Sequence, residues 1–271
     1  MATSTALAQK KQGIAGFLSS EAVRSNVLSV VGEKDMQRFV SSVVSAVQTT
    51  PLLQKCTNAS ILSAALLGHS LGLPQSPQLG CFYLVPYGNE ATFQLGAKGY
   101  IQLAIRSGQY KKLNCVALKE GELKAYDPLE ETIEVEMITD YAKRQKLKTI
   151  GYYAFFELVN GYKKSIYWSI EEMEAHAKRY SKTYRKDPKG SIWGMNFDAM
   201  AQKTMLRQLI SKWGIMSVEM QRAFSSDMGV IGDNGEVTYV DNPVNSDFDY
   251  ERTENENAEE LIIDSEVVEE V

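Results

Sequence analysis

Few residues in this chain are arranged for bond-making chemistry. Gly68-His69-Ser70-Leu71-Gly72 spells GxSxG, the turn that presents a nucleophilic serine in hydrolases. That chemistry needs a strand before the serine, a helix after it, and an acid and then a histidine downstream. Here helical apolar spacing precedes the motif, Pro74 and Pro77 follow it, and only His176 lies downstream. A helix end of small residues, packing closely, is the better account. No glycine is followed by lysine, so a GxxxxGK[ST] phosphate loop cannot be written. Gly96-Ala97-Lys98-Gly99 fits a tight strand-to-helix turn. Glu122-Leu123-Lys124 has the ExK of some nucleases, but its nearest upstream aspartate is Asp35, and it reads as a solvated turn. Two histidines give no metal cluster. Cys56, Cys81 and Cys115 lie 25 and 34 residues apart and build no zinc ribbon, so they read as buried small hydrophobes in a reducing compartment.

The basic residues point elsewhere. Lys98, Gln102 and Arg106 recur at i, i+4 and i+8, followed by Tyr110-Lys111-Lys112. A second cluster runs from His176 through Lys178, Arg179, Tyr180, Lys182, Tyr184, Arg185 and Lys186 to Lys189 and Trp193. In a third, Asn196, Lys203 and Arg207 fall within roughly 40° of each other at 100° per residue. Lysine and arginine neutralise phosphates, and aromatic faces stack on bases without regard to sequence. Tyr184 and Trp193 are candidate stacking groups, with core packing as their plainer role. Each basic cluster alone could be a solvated helix face.

Charge is divided along the chain. Residues 226–271 hold fifteen acids against Arg252 alone, a net of −14, whereas residues 1–225 carry 28 basic and 19 acidic residues, a net of +9. A basic body beside an acidic tail suggests a polyanionic partner. The tail has the composition of disorder, apart from an apolar island at Leu261-Ile262-Ile263 that could dock a partner, and it is expected to be dispensable for DNA work. The absence of an apolar leader or an 18-residue apolar run points to a cytoplasmic protein with no membrane partner.

Periodicity sketches the elements that must carry these groups. Residues 1–18 read as a flexible arm, with a short helix following near Ser20–Val31. Together, 1–33 form a candidate subunit contact, ahead of a core at 34–225 and the tail at 226–271. Further helices are predicted at Met36–Val47, Asn58–Leu71, Ala97–Ser107, Ser169–Ser181, Ile192–Trp213 and Val218–Phe224. Strands are predicted at Cys81–Pro86, Ala91–Leu95, Lys111–Lys119, Thr132–Ile138, Thr149–Val159 and Tyr162–Trp168, with Asn160-Gly161 as a hairpin turn. Ser169 and Glu172 spell a capping box. The expected class is α+β, a small antiparallel sheet with hairpins packed on helices.

Four segments carry a family resemblance. Gly80-Cys81-Phe82-Tyr83-Leu84-Val85-Pro86-Tyr87-Gly88 is similar to a G-x-x-Y-x-x-P-Y-G hairpin, and Gly99 through Gln109 to a KG-x-I-x-L-A-x-RSG helix. Trp193 through Thr204, then Arg207, resembles a W-x-x-x-x-x-x-MA-x-KT-x-x-R helix, and Val218–Ala223 the close of the same core. In this order, over roughly residues 35–225, they resemble the RecT family of phage single-strand annealing proteins.

The resemblance implies ATP-independent annealing of complementary DNA strands in phage recombination, by a homo-oligomer or helical filament on single-stranded DNA and the annealed duplex. It further implies a partner exonuclease, a host single-strand-binding protein as a second partner, and no catalytic site. No cofactor is required on this view, with magnesium able to modulate annealing. The core would be distantly similar to eukaryotic annealing recombinases, with a basic groove. Carried over position by position, Lys98, Arg106, Lys203 and Arg207 would line that groove, and Tyr87 and Asn89 at the hairpin tip would touch bases. Gln202 stands where other members often have lysine and is not counted as a phosphate contact. Lys203 and Arg207 are expected to project together from one helix, so that replacing both by alanine should leave the fold standing; pairing with Asp198 or Glu219 is the alternative. A nuclease or hydrolase, or a structural oligomer with incidental DNA binding, remain the rival functions.

Overall fold

A computed structural model describes residues 13–232 and 237–239; the outermost arm and most of the expected tail lie outside these. Four helices come first: α1 (Ile14–Ser19), α2 (Glu21–Val31), α3 (Glu33–Thr49) and α4 (Asn58–Ser70). The helix α1 occupies sequence expected to be a flexible arm, because Ile14 and Leu18 find an apolar site against Val27, Phe39, Val43 and Ile61. The described part of the N-terminal segment therefore shares a core with α3 and α4. Gly32 ends α2 at φ 78°, a left-handed backbone that glycine adopts without penalty. The third helix ends at Thr49, and its cap, Thr50, is the residue before Pro51. Its successor α4 is apolar on every side because it lies between two cores, with Ile61, Leu62 and Ala65 facing one and Ala64 and Leu67 the other.

The chain continues through β1 (Phe82–Tyr87), β2 (Glu90–Leu95), α5 (Ala97–Arg106), β3 (Tyr110–Lys119), β4 (Leu123–Asp127), β5 (Thr132–Val135), α6 (Tyr141–Arg144), β6 (Thr149–Leu158) and β7 (Lys163–Ser169). Then come α7 (Ile170–Tyr180), α8 (Lys182–Lys186), α9 (Ile192–Met195), α10 (Phe197–Trp213), α11 (Val218–Ser226), β8 (Gly229–Ile231) and β9 (Val237–Tyr239). The strands form three small antiparallel sheets, β1-β2-β8-β9, β3-β6-β7 and the hairpin β4-β5. The class is α+β, as periodicity predicts.

Two departures arise from local chemistry. The single helix expected over Ile192–Trp213 is broken at Asn196 (φ −140°, ψ 56°), a residue type that favours helix starts. The backbone of Gly194 passes so near the Pro188 carbonyl that a Cβ would lie 1.7 Å from it. Second, β8 pairs with β2 through Gly229 and Phe93, so residues assigned by composition to the start of the tail are part of a sheet.

One helix organises the centre. Leu206 and Ile210 of α10 pack with Phe82, Phe93, Tyr100 and Phe224, while Ala201, Met205 and Leu209 pack with Tyr152, Phe156 and Met173. The turn into α5 is equally close, since a Cβ on Gly99 would lie 2.1 Å from the backbone oxygen of Cys81. Gly99→Ala should therefore cost about 1–3 kcal/mol, like other overpacked cores. For a domain of this size that lowers Tm by roughly 2–12 °C, read by circular dichroism on heating; an unchanged Tm would mean that this approach is looser than described.

Candidate nucleic-acid interface

The third basic cluster is not a surface face. Lys203 and Arg207 are each only 9% exposed, and Asp227, 1% exposed, lies between them. One carboxylate oxygen of Asp227 accepts the Leu95 amide at 2.7 Å, with the Lys203 ammonium 3.6 Å away. Its other oxygen accepts Arg207 Nη1 and the Tyr100 hydroxyl, both at 2.6 Å. Burial alone would push the Asp227 carboxyl up, but the two cations, the hydroxyl and the amide outweigh it and hold the pKa below the usual range. Burial also lowers the pKa of Lys203, against the pull of Asp227.

The expectation that these two cations line an open groove is corrected: they meet an acid, and it is Asp227, where the alternative reading names Asp198 or Glu219. Asp198 accepts the Tyr152 hydroxyl at 2.5 Å, and a hydrogen bond from Ser217 lowers the pKa of Glu219. The expectation that a double alanine variant would keep its fold is corrected too, since it would leave Asp227 buried without a counter-charge. Asn196 is exposed at the helix break, apart from these two.

The second cluster keeps its cations on the surface. Ser169 and Glu172 form the capping box that opens α7: the Glu172 amide donates to Ser169 Oγ at 3.2 Å, and the Ser169 amide to Glu172 Oε2 at 2.7 Å. Met173 and Ala177 are turned into the core, leaving Lys178 and Arg179 exposed. Between Tyr180 and Asn196 the chain forms two short helices, each capped by serine: Ser181 accepts the Tyr184 amide at 3.2 Å, and Ser191 the Gly194 amide at 3.0 Å. These caps fix Tyr184 and Trp193 inward, where they pack with Phe197. Both rings are buried, so base stacking by these two is corrected to core packing. Lys182, Arg185, Lys186 and Lys189 are exposed. Asp187 is the single acid between residues 178 and 189, and its carboxylate accepts the Gly190 amide at 3.0 Å. Lys178 reaches Glu174 at 3.4 Å, and the Arg179 guanidinium lies 5.4 Å from the Tyr180 ring centre.

The first cluster divides. Lys98 is exposed, whereas Arg106 donates to the carbonyls of Leu71 and Gly72 (3.2 Å to the latter) at the end of α4. Lys111 and Lys112 meet Glu157 at 2.7 and 3.7 Å. At the β1–β2 tip, Gly88 has φ 59° and the Asn89 carbonyl accepts the Thr57 amide at 2.8 Å, which ties the tip to the start of α4. Asn89 is exposed and Tyr87 half-buried.

The enzyme-like letters dissolve into packing. Ser70 donates to the Leu67 carbonyl at 2.8 Å in the last turn of α4. His176 lies among Trp168, Tyr180 and Trp193 instead. A Cβ on Gly68 would lie 2.2 Å from the Phe82 ring, the close packing expected of a small-residue helix end. Glu122 overturns its reading as part of a solvated turn: it is fully buried, accepts Arg144 Nε at 2.6 Å, and accepts the amides of Lys119 and Ile138 at 2.7 and 3.1 Å. Among the described residues no group of three His, Cys, Asp or Glu could hold a metal ion, and no helix is long and apolar enough to cross a membrane.

A mixed fold whose buried charges are paired internally, with a separate exposed basic strip, has the build of a polyanion-binding protein. The RecT family model matches residues 37–260, and the chain belongs to that family of single-strand annealing proteins of DNA recombination. It is 45% identical over 208 residues to the uncharacterized protein YqaK of Bacillus subtilis (strain 168), covering 77% of this chain and 69% of that one. It is 25% identical over 229 residues to the protein RecT of Escherichia coli (strain K12), covering 81% and 82%.

Asp227→Asn keeps the shape but leaves Lys203 and Arg207 without their buried anion, so it should cost about 3–5 kcal/mol and lower Tm by roughly 6–20 °C. A wild-type Tm would show that the carboxylate charge is not needed. Because the folded Asp227 pKa is depressed, its stabilisation is in place above the unfolded value of about 3.9 and is lost as pH falls through the folded value. Urea unfolding between neutral pH and about pH 3 should therefore show a steeper acid loss in wild type than in Asp227→Asn. Parallel curves would count against the coupling.

Proposed function

We propose that this chain anneals complementary DNA strands without ATP, as a homo-oligomer or filament in phage recombination, and that it holds the first strand by sequence-blind phosphate contacts. The exposed cations between α7 and α9 are the observation that carries this: Lys178, Arg179, Lys182, Arg185 and Lys186 face outward from capped helices, Lys189 from the turn after them, and the one acid among them is turned onto a backbone amide. Lys98, Lys111 and Lys112 extend the basic surface, with Glu157 offsetting part of the last two. Lys203 and Arg207 act on this surface from inside, by fixing the helix that supports it. A partner exonuclease, a host single-strand-binding protein and the host cytoplasm complete the setting.

Arg185→Ala, Lys186→Ala and Lys189→Ala together should keep the fold, because all three side chains are exposed. Binding to single-stranded DNA should weaken evenly across sequences. The slope of log K against log salt should become shallower by about 2, at roughly 0.7 per lost contact, and strand annealing should slow. A folded triple variant with the wild-type slope and annealing rate would remove this strip from the DNA site. The acidic tail is best tested by ending the chain after Tyr239, since a cut at residue 226 also removes Asp227 and β8. Annealing by the longer truncation should match wild type; its loss would make the tail part of the machinery.

A further inference from the structure

The β3-β6-β7 sheet has one face in the core and one outside it. Tyr152, Ala154 and Phe156 point inward, against α7 and α10. The alternate residues Tyr153 and Phe155 are half-buried and belong to none of the three core clusters. Strand register puts Val116, Tyr153 and Tyr167 in one row across this outer face, and Asn114, Phe155 and Ser165 in the next. The rings of Tyr153 and Phe155 stack, with centroids 6.0 Å apart and planes at 17°. Tyr167 lies across β6 at Gly151, where a Cβ would come within 2.5 Å of its hydroxyl, and Tyr126 meets it edge-on at 5.1 Å. The result is an aromatic strip on a sheet surface.

Charge indicates what would cover it. The row beyond Phe155 consists of Lys112, Glu157 and Lys163; both lysines are exposed, and Glu157 is already engaged by Lys111 at 2.7 Å. Interfaces between protein copies are depleted of lysine, whereas single-strand sites combine aromatic faces with a cationic margin. Antiparallel sheets that display aromatics in this way stack two or three bases of a single strand. We infer that the outer face of β3-β6-β7 is a stacking platform for consecutive bases of one DNA strand, with Lys112 and Lys163 beside its phosphates. Stacking occupies the base faces and leaves their pairing edges open, which is what annealing to a second strand requires. This inference rests on the proposed function and names a site for it separate from the α7–α9 cations.

The test compares an oligodeoxythymidine with an abasic oligonucleotide of equal length, using the full chain. Wild type should bind the base-bearing strand about tenfold or more tightly. The double variant Tyr153→Leu, Phe155→Leu keeps the apolar area but not the rings, and should lose that preference with its salt slope unchanged. Equal wild-type affinity for the two strands overturns the platform while leaving phosphate binding intact, and needs no variant to fold. A folded double variant that keeps the preference also overturns it. So does a double variant whose native mass falls to that of a smaller assembly, since the face would then be covered by another copy of this chain. Wild type binding neither oligonucleotide would remove the proposed function along with the platform.

Discussion

The carboxylate of Asp227 is where the separate parts of this chain are tied together. It takes hydrogen bonds from the backbone of β2, from Tyr100 on α5 and from Arg207 on α10, with Lys203 close by. It also stands between α11 and β8, so the last helix and the closing strand take their position from it. A buried ion group of this kind adds little net stability over a well-packed apolar one, but leaving either sign unpaired is strongly destabilising. The cluster therefore acts mainly as a constraint on arrangement. Any packing of α10 that displaces Lys203 and Arg207 from Asp227 strands charge in a core that contains Phe82, Phe93 and Phe224.

That constraint sorts the cations. Lys203 and Arg207 of α10 are used inside, and the cations from Lys178 to Lys189 remain on the surface, because the helices there bury Met173, Ala177, Tyr184 and Trp193 and turn the remaining positions outward. The serine caps at 169, 181 and 191 start each short helix at a defined place. A flexible loop of the same composition would carry the same charge without fixing its spacing. Arg106 and Arg144 serve the structure in another way, closing the end of α4 and neutralising Glu122.

The parts legible in the sequence were those decided by neighbours in the chain. The β1–β2 and β6–β7 hairpins, the Ser169–Glu172 capping box and Gly32 all rest on contacts or turns that local residue types announce. Asp227 was hidden because composition averages: it is one acid among fifteen, and what sets it apart includes hydrogen bonds from Leu95 and Tyr100, 132 and 127 residues away. Lys203 and Arg207 do share a helix face, as their spacing predicts, but helical spacing does not say whether a face is wet. The apolar residues on both sides of them, Leu206 and Ile210 with Met205 and Leu209, were the available signal that α10 is enclosed. Glu122 shows the same limit, since its partner Arg144 lies 22 residues further on.

Charge arithmetic along the chain acquires a physical meaning once these positions are known. Moving the boundary from 225 to 232 transfers Asp227 into the folded body, which then carries 28 basic and 20 acidic residues. Part of that excess is unavailable to a ligand, because Lys203 and Arg207 face an internal carboxylate. What a polyanion meets is the remainder, concentrated on lysines with long flexible stems at fixed backbone positions. Such groups recognise a phosphate chain and not a base sequence, and their attraction falls with salt as counterions are released. A surface of this type suits a protein that must accept any strand and then let a complementary one pair with it. Tight, base-specific contacts would hold the first strand's pairing edges, and the second strand would have to compete for them.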